Sequence, residues 1–507
     1  MIYMTNRGKA AFVGALLSLF LPLALMAQPV GSAAARLAQA IDPILSDPDF
    51  TNAWWGALVV NLEDGTVLYE RHAGKNFVPA SNTKLYTTAA ALDQLGPDYR
   101  YRTEVYIDGP VVDGVVQGNL IVRGSGDPVI GGRFNDGDRL EAFRTWAKAL
   151  QDLGITRIEG DLIGDDDVFD DTPLGYGWSW DDETYWYAAE ISGLSFNDNN
   201  VDVAIRATRV GQPATITWEP LNTNYVQVIN ETTTTGTGTS IDEGYHRARG
   251  TNVIEISSAV PQNRTDTESL TVMNPTLFFV HVLRETLLQE GIGVVGHPVD
   301  VDDLSIKPDY DAKTVQEIAV HTSPPLTDIV HATNKHSQNL YAEQLLRTLA
   351  SARPIDDEDL EPGSAAMGLA AAMTTFATAG VDTSAITLVD GSGLSHLNLV
   401  TPEMTAALLS YMWNHPDQTV RTAFYDSLPI GGQDGTLEYR FRDGPARGKV
   451  HAKTGTVSNV STLSGYVPAG DGTPLAFVLM CNHHTLKSRI VRQAQDRVVN
   501  ALARFKL

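Results

Sequence analysis

Two serines and two lysines in this chain stand where they could do covalent chemistry together. In Ser81-Asn82-Thr83-Lys84 the hydroxyl and the amine are three residues apart, so on a helix they share a face one turn from each other. A serine attacks a carbonyl only when a base takes its proton. A lysine can be that base if burial or a nearby cation keeps it partly neutral. Lys453-Thr454-Gly455, followed by Thr456, offers a fixed positive charge, two hydroxyls and a glycine beside which a substrate backbone can come close to a strand edge. That set suits a ligand ending in a carboxylate. Each pattern occurs once, where chance would give about half a match for the first and about 0.1 for the second. A third element of the form Ser-x-Asn has two candidates, Ser195-Phe196-Asn197 and Ser337-Gln338-Asn339.

The elements around these residues decide between the candidates. Gly56–Val60 and Thr66–Tyr69 flank an Asp-Gly turn and read as a hairpin. Ser81 and Lys84 then open an alanine-rich helix that runs to Leu95 and stops at Gly96-Pro97. From about residue 99 to 311 the texture changes to short strands rich in valine and threonine, as at Thr103–Ile107, Val115–Val122 and Thr215–Trp218, separated by Gly, Asn and Asp turns. Helical spacing returns over Thr327–Asn334, Ser337–Ala350, Ala365–Ala379 and Pro402–Trp413. Strands at Thr462–Val467 and Leu475–Met480 and a helix over Lys487–Phe505 close the chain. This order predicts an α/β catalytic domain of residues 28–98 and 312–507, interrupted by a β-rich insertion, 99–311, in two subdomains. Ser337 shares the α/β part with Ser81 and Lys453, so it is the preferred third element, and Ser195 is read as a turn in the insertion.

Composition excludes other classes. With 37 basic and 61 acidic residues the net charge is −24, which argues against a nucleic-acid or anionic-lipid binder. Asp152–Asp198 holds thirteen acidic residues against Arg157 alone, and is read as a solvated face. The single cysteine, Cys481, excludes an intrachain disulfide and a cysteine zinc cluster, and fits a buried apolar position. No His-Glu-x-x-His, Gly-x-Ser-x-Gly, P-loop or dinucleotide glycine motif is present. Arg7 and Lys9 precede an apolar run, Ala10–Met26, broken by Gly14, Ser18 and Pro22. Residues 1–27 therefore read as a secretory signal peptide cut near Ala27, with an uncleaved anchor as the alternative; an exported, periplasmic protein with at most peripheral membrane contact is expected.

Order and spacing carry a resemblance. Ser81 and Ser337 lie 256 residues apart with the insertion between them, and Lys453 follows 116 residues later. Together with Gly124-Ser125-Gly126-Asp127-Pro128, Ile191–Asn199, Asp390-Gly391-Ser392-Gly393-Leu394-Ser395, Leu428-Pro429, Asp434-Gly435-Thr436-Leu437 and Ser464-Gly465-Tyr466, this layout resembles the class C low-molecular-mass penicillin-binding proteins. These are the D-alanyl-D-alanine carboxypeptidases/endopeptidases of the S13 peptidase family. The resemblance implies a serine penicillin-recognising (β-lactamase/transpeptidase-like) fold, peptidoglycan stem peptides as substrates, β-lactams as inhibitors, and no metal or organic cofactor. It implies Ser81 as nucleophile, Lys84 as base, Ser337 as proton relay and Asn339 as a partner of the substrate amide and of Lys84. Lys453, Thr454, Gly455 and Thr456 would bind the carboxylate end, with the backbone N–H groups of Ser81 and Thr456 as oxyanion hole. One departure is His396, where the family more often has arginine, so the contact to an acidic stem-peptide group becomes weaker or pH-dependent. The aromatic segment Tyr176–Tyr187 is either a wall of the cleft or packing at a domain junction. A β-lactamase or esterase, and a non-catalytic peptidoglycan-binding protein, are the rival readings.

Overall fold

The computed structural model describes residues 32–238 and 240–507. The expected signal peptide lies outside the described residues. Among the described residues no helix is long and apolar enough to cross a membrane.

The half that carries Ser81, Ser337 and Lys453 is built on an antiparallel sheet in the order Val67–Arg71, Trp54–Asn61, Pro474–Asn482, Val460–Pro468, His451–Val457. Its central strands are buried on both faces, which is why they read as continuous apolar runs. Alternation still sorts the side chains. Ala57, Val59, Phe477, Leu479 and Cys481 face helices Ala33–Leu45 and Ser488–Leu502, whereas Leu58, Val60, Ala476, Val478 and Met480 face the remaining helices. Cys481 is thus the buried small apolar residue expected, its thiol pushed up to about 12 by burial.

At the centre of the second layer runs helix Thr83–Leu95, buried from Thr83 through Leu92. Such a helix has no solvent face, so its hydroxyls bond inward: Thr88 Oγ1 donates to the Lys84 carbonyl at 2.6 Å and Thr87 Oγ1 to the Gly391 carbonyl at 2.7 Å. Helices Leu326–Lys335, Asn339–Ala352, Ala365–Thr378, Pro402–Trp413 and Gln418–Ser427 surround it.

The chain leaves this half and returns to it side by side. The Tyr101 N–H donates to Ser323 Oγ, Leu326 N–H to the Tyr99 carbonyl, and Thr327 N–H to the Pro97 carbonyl. Between the crossings a mixed sheet runs Pro298–Asp300, Leu162–Asp165, Leu120–Arg123, Arg102–Ile107, Gln316–Thr322. Its last strand lies beyond the boundary at 311 expected from the sequence; none of the seven residues of Gln316–Thr322 is fully buried, and only Ile318 and Val320 give it a short apolar alternation, so little marks it in the sequence. Smaller sheets follow, including Thr215–Glu219, Asn200–Arg206, Thr265–Thr271. The insertion also holds two helices that its strand-like texture concealed, Glu141–Asp152 and Pro275–Gln289. One continuous apolar core, from Val105 through Phe143, Phe196 and Ile254 to Phe279, runs through it.

Candidate active site

The expected residues converge from three elements. Ser81 sits in a 3₁₀ turn, Ala80–Asn82, leading into the buried helix. Ala80 adopts φ +48°, a left-handed conformation that costs a residue with a side chain. The turn is held from both sides. A Cβ on Gly393 (φ +82°) would come within 1.9 Å of the Ala80 carbonyl oxygen, so only glycine fits there. On the other side strand His451–Val457 passes so close that a Cβ on Gly455 would lie 2.9 Å from the Ser81 nitrogen. The glycine of Lys-Thr-Gly thus admits the Ser81 turn itself. Asn82 ties turn to sheet: its amide donates to the Lys453 carbonyl at 2.8 Å, and its oxygen accepts from Ser464 Oγ at 2.8 Å.

Lys84 points back along its helix to Ser81, with Nζ 3.2 Å from Oγ. The same ammonium nitrogen lies 2.6 Å from Asn339 Oδ1 and 2.7 Å from the Ser392 carbonyl oxygen. Lys84 is 0 % exposed, and this burial lowers its pKa to about 7. The Asp390 and Glu343 carboxylates behind it pull the other way and are outweighed. Glu343, equally buried, is itself pushed up to about 7 by desolvation and by Asp390.

The Ser-x-Asn element lies where two helices meet. Only His336, Ser337 and Gln338 join Leu326–Lys335 to Asn339–Ala352, and the tight reversal puts Ser337 at φ +59°. Ser337 Oγ then meets Lys453 Nζ at 2.8 Å, and Lys453 Nζ also donates to the Thr454 carbonyl at 2.8 Å. Burial, with Lys84 as a neighbouring cation, holds Lys453 well below the ordinary lysine range. Asn339 is fixed by a 2.6 Å hydrogen bond from its amide to the Tyr187 carbonyl. Thr454 Oγ1 pairs with Thr436 Oγ1 at 2.8 Å, and Thr456 lies at the mouth, 3.4 Å from Arg492 Nη2.

These groups border a cleft of about 750 Å³ whose lining includes Ser81, Ser337, Asn339 and Thr456. Trp178, Trp180, Trp186 and Tyr187 form its far wall, so the aromatic segment borders the cleft; Trp178 Nε1 donates to Asp390 Oδ2 at 3.0 Å, anchoring the wall to the loop behind Lys84. His396 lies on the same rim, exposed. Ser195 is elsewhere: its hydroxyl is buried against Gln344, Asn199 and the Ser192 carbonyl, docking the insertion onto helix Asn339–Ala352. Among the described residues, Asp166, Asp300 and Asp302 form the one acidic group close enough to share a cation, and they belong to the insertion, outside this cleft.

Reading the sequence for motifs assigned no role to Asn82 and Thr436, although both stand inside motifs it singled out, and missed Glu343 and the Tyr187 carbonyl. Glu343 had a signal: with Gln344 and Arg347 it interrupts an otherwise apolar helix. Those three residues are buried in spite of their polarity.

An activated serine beside a desolvated amine, with a second serine–lysine pair across the cleft, can carry out acyl transfer. Comparison with known proteins agrees. Residues 37–504 match the model of the D-Ala-D-Ala carboxypeptidase 3 (S13) family. The chain is 33 % identical to a D-alanyl-D-alanine carboxypeptidase of Actinomadura sp. (strain R39), over 99 % of this chain and 92 % of the relative. It is 26 % identical to D-alanyl-D-alanine carboxypeptidase DacB of Haemophilus influenzae, covering 85 % of each. In fold it is similar to the crystal structure of penicillin binding protein 4 (dacB) from H. influenzae, with a TM-score of 0.76 at 23 % identity over 94 % of this chain and 100 % of that one. Motif order, assembled site and these likenesses agree: the chain belongs to the D-Ala-D-Ala carboxypeptidase 3 (S13) family of serine D,D-peptidases.

Proposed function

We propose that this chain hydrolyses D-alanyl-D-alanine termini, and D,D cross-links, of peptidoglycan stem peptides through an acyl-enzyme on Ser81, and that β-lactams acylate the same oxygen. The reaction needs no metal or organic cofactor. The observation that carries this reading is the 3.2 Å contact between Ser81 Oγ and an amine that burial holds at about pH 7. Neutral Lys84 takes the Ser81 proton as Oγ bonds to the carbonyl carbon of the penultimate D-alanine. The oxyanion forms between the Ser81 and Thr456 N–H groups, each worth roughly 3–4 kcal/mol in comparable enzymes. As the tetrahedral centre collapses the C–N bond breaks, and the proton passes by way of Ser337 to the leaving amine. Water then attacks the ester and Ser81 regains its proton. Lys453, desolvated and bonded among the described residues to Ser337 Oγ and the Thr454 carbonyl rather than to a carboxylate, gains one when the substrate's terminal carboxylate arrives beside Thr454 and Thr456. Asn339 holds Lys84 and the substrate amide in register.

The catalytic unit comprises residues 28–98 and 312–507 except for the strand Gln316–Thr322, which pairs with Arg102–Ile107 and joins the insertion 99–311 in the other body. Residues 1–27 direct export to the periplasm, and the protein touches membranes at most peripherally. Intact-mass spectrometry after incubation with benzylpenicillin, beside D-alanine release from a diacylated D-Ala-D-Ala peptide, tests the reading. A single adduct on Ser81 and liberated D-alanine are expected. An adduct that survives in Ser81→Ala, or a wild-type protein that does neither, overturns it.

A further inference from the structure

A second cleft of about 740 Å³ opens directly behind the first. The two share Trp186, and the three-residue link between the helices divides them: Ser337 and Asn339 line the first, while His336 and Gln338 line the second. The insertion supplies most of the remaining wall, through the loop Asn197–Asn200 and the paired strands Asn200–Arg206 and Thr265–Thr271.

We propose that this second cleft is the leaving-side subsite: it seats the second peptide of a D,D cross-link, a chain carrying amide, amine and carboxylate groups. The inference rests on the acyl-enzyme reading above. The leaving nitrogen receives its proton at Ser337, so whatever is bonded to that nitrogen starts at Ser337. The neighbouring residues of the same short link face the second cleft. A freed D-alanine needs no such space, whereas the volume matches the roughly 300–1,000 Å³ of sites that enclose drug-sized or short peptide ligands.

The wall has the polarity such a peptide requires. Its guanidinium groups are already paired, Arg133 with Asp198 at 2.5 Å and Arg139 with Asp202 at 2.7 Å, so the cleft does not attract anions in general. Asp198 also accepts from Gln338 Nε2 and Tyr341 OH, each at 3.0 Å, which fixes this wall to the Ser337 link. Two further acceptors matter here. Glu268 has no cationic partner among the described residues, and its carboxyl is raised by burial and by Glu243 and Asp266 around it. Asn200, 2 % exposed on the cleft floor, has a side-chain oxygen with no donor among the described residues. Both call for N–H groups, which a second peptide brings as amides and an amine.

Thr267 and Ala204 face each other across paired strands on the cleft floor, far in the chain from every group that handles the scissile bond. Thr267→Trp and Ala204→Trp each fill the cleft with an indole. Wild type and both variants are given two substrates, a diacylated peptide ending in D-Ala-D-Ala and a purified D,D-linked muropeptide dimer, with penicillin acylation measured alongside. We expect dimer cleavage to fall by about tenfold or more relative to D-alanine release in both variants, with acylation retained. An unchanged ratio in both overturns the assignment. A wild-type protein that releases D-alanine but leaves the dimer intact overturns it too, without touching the acyl-enzyme reading. One that neither releases D-alanine nor reacts with penicillin overturns that reading first.

Discussion

Two clefts separated by three residues handle charge in opposite ways. In the first, both lysine nitrogens are buried and their hydrogen-bond partners are neutral oxygens: Ser81, Asn339 and the Ser392 carbonyl for Lys84, Ser337 and the Thr454 carbonyl for Lys453. In the second, each guanidinium already has its carboxylate. An amine without a counter-ion in a dry site is driven toward its neutral form, which a base must be, and it gains most when a substrate anion arrives. A paired guanidinium has no such reserve and serves shape and polarity instead. Among the cationic groups of the two clefts, the unpaired buried amines thus stand where the chemistry is proposed, and the paired guanidinium groups where the second peptide is proposed to bind.

Removing the reacting atoms separates the two regions most sharply. Ser81→Ala should lower D-alanine release by about a millionfold, the scale on which serine nucleophiles act, and abolish the penicillin adduct. Lys84→Met should cost about 10²–10⁴ in acylation while the protein folds. Measured acylation rates and intact masses check both; near-normal acylation of Lys84→Met would end its assignment as base.

The same comparison fixes a pH dependence. A base works deprotonated, and Lys84 is lowered to about 7 by burial. The second-order rate of penicillin acylation should therefore fall about tenfold for each pH unit below 7 and level off above it. An ordinary lysine would instead give a rate still climbing at pH 9. Stopped-flow acylation across pH 5–9 distinguishes the two.

Lys453 tests the cost of holding a cation ready. Lys453→Met should lower kcat/KM by about 10²–10³, as for loss of one donor to a developing or bound anion. Because the folded protein must keep this amine dry with no carboxylate beside it, the variant should also gain about 1 kcal/mol of stability, read as a higher unfolding midpoint. A lower midpoint would mean that the lysine is better solvated than its burial implies.

Sequence patterns foretold the catalytic half far better than the insertion, and the reason is local. Helices such as Pro402–Trp413 and strands such as Pro474–Asn482 announce themselves through spacing and apolar runs, and Ser-x-x-Lys and Lys-Thr-Gly through rarity. Gln418–Ser427 and Ala33–Leu45 escaped because each has only a narrow apolar stripe among polar or alanine residues. In the insertion, Glu141–Asp152 and Pro275–Gln289 lie among short valine and threonine strands, so the helical period was lost in a window dominated by its neighbours. Within the site, what touches Ser81 was legible, but what holds it was not. Ser392 and Tyr187 act through main-chain carbonyls, which carry no residue signature, and the side-chain amide of Asn82 is bound to the Lys453 carbonyl and to Ser464, partners 371 and 382 residues away in the chain.

The smallest effect lies on the boundary between the clefts. Asp198 sits in a run of three left-handed residues, Asn197 to Asn199, a conformation kept only where surrounding contacts enforce it. From there it grips Gln338, Tyr341 and Arg133 together. Gln338 adjoins Ser337, itself left-handed, so the grip reaches the proposed proton relay through one peptide unit. Asp198→Asn keeps the shape but only one of the two acceptor oxygens, which serve Gln338 (Oδ2) and Tyr341 (Oδ1) separately, and it leaves Arg133 without its carboxylate. This positioning role predicts that kcat for D-alanine release falls about three- to tenfold with KM unchanged, since the binding strand His451–Val457 is untouched. A variant that also loses Gln338, Asp198→Asn with Gln338→Ala, should be little worse than either change alone, because both act on one link. If instead KM rises while kcat holds, Asp198 belongs to recognition, and the division between a charged cleft for chemistry and a paired cleft for holding runs elsewhere than at Ser337.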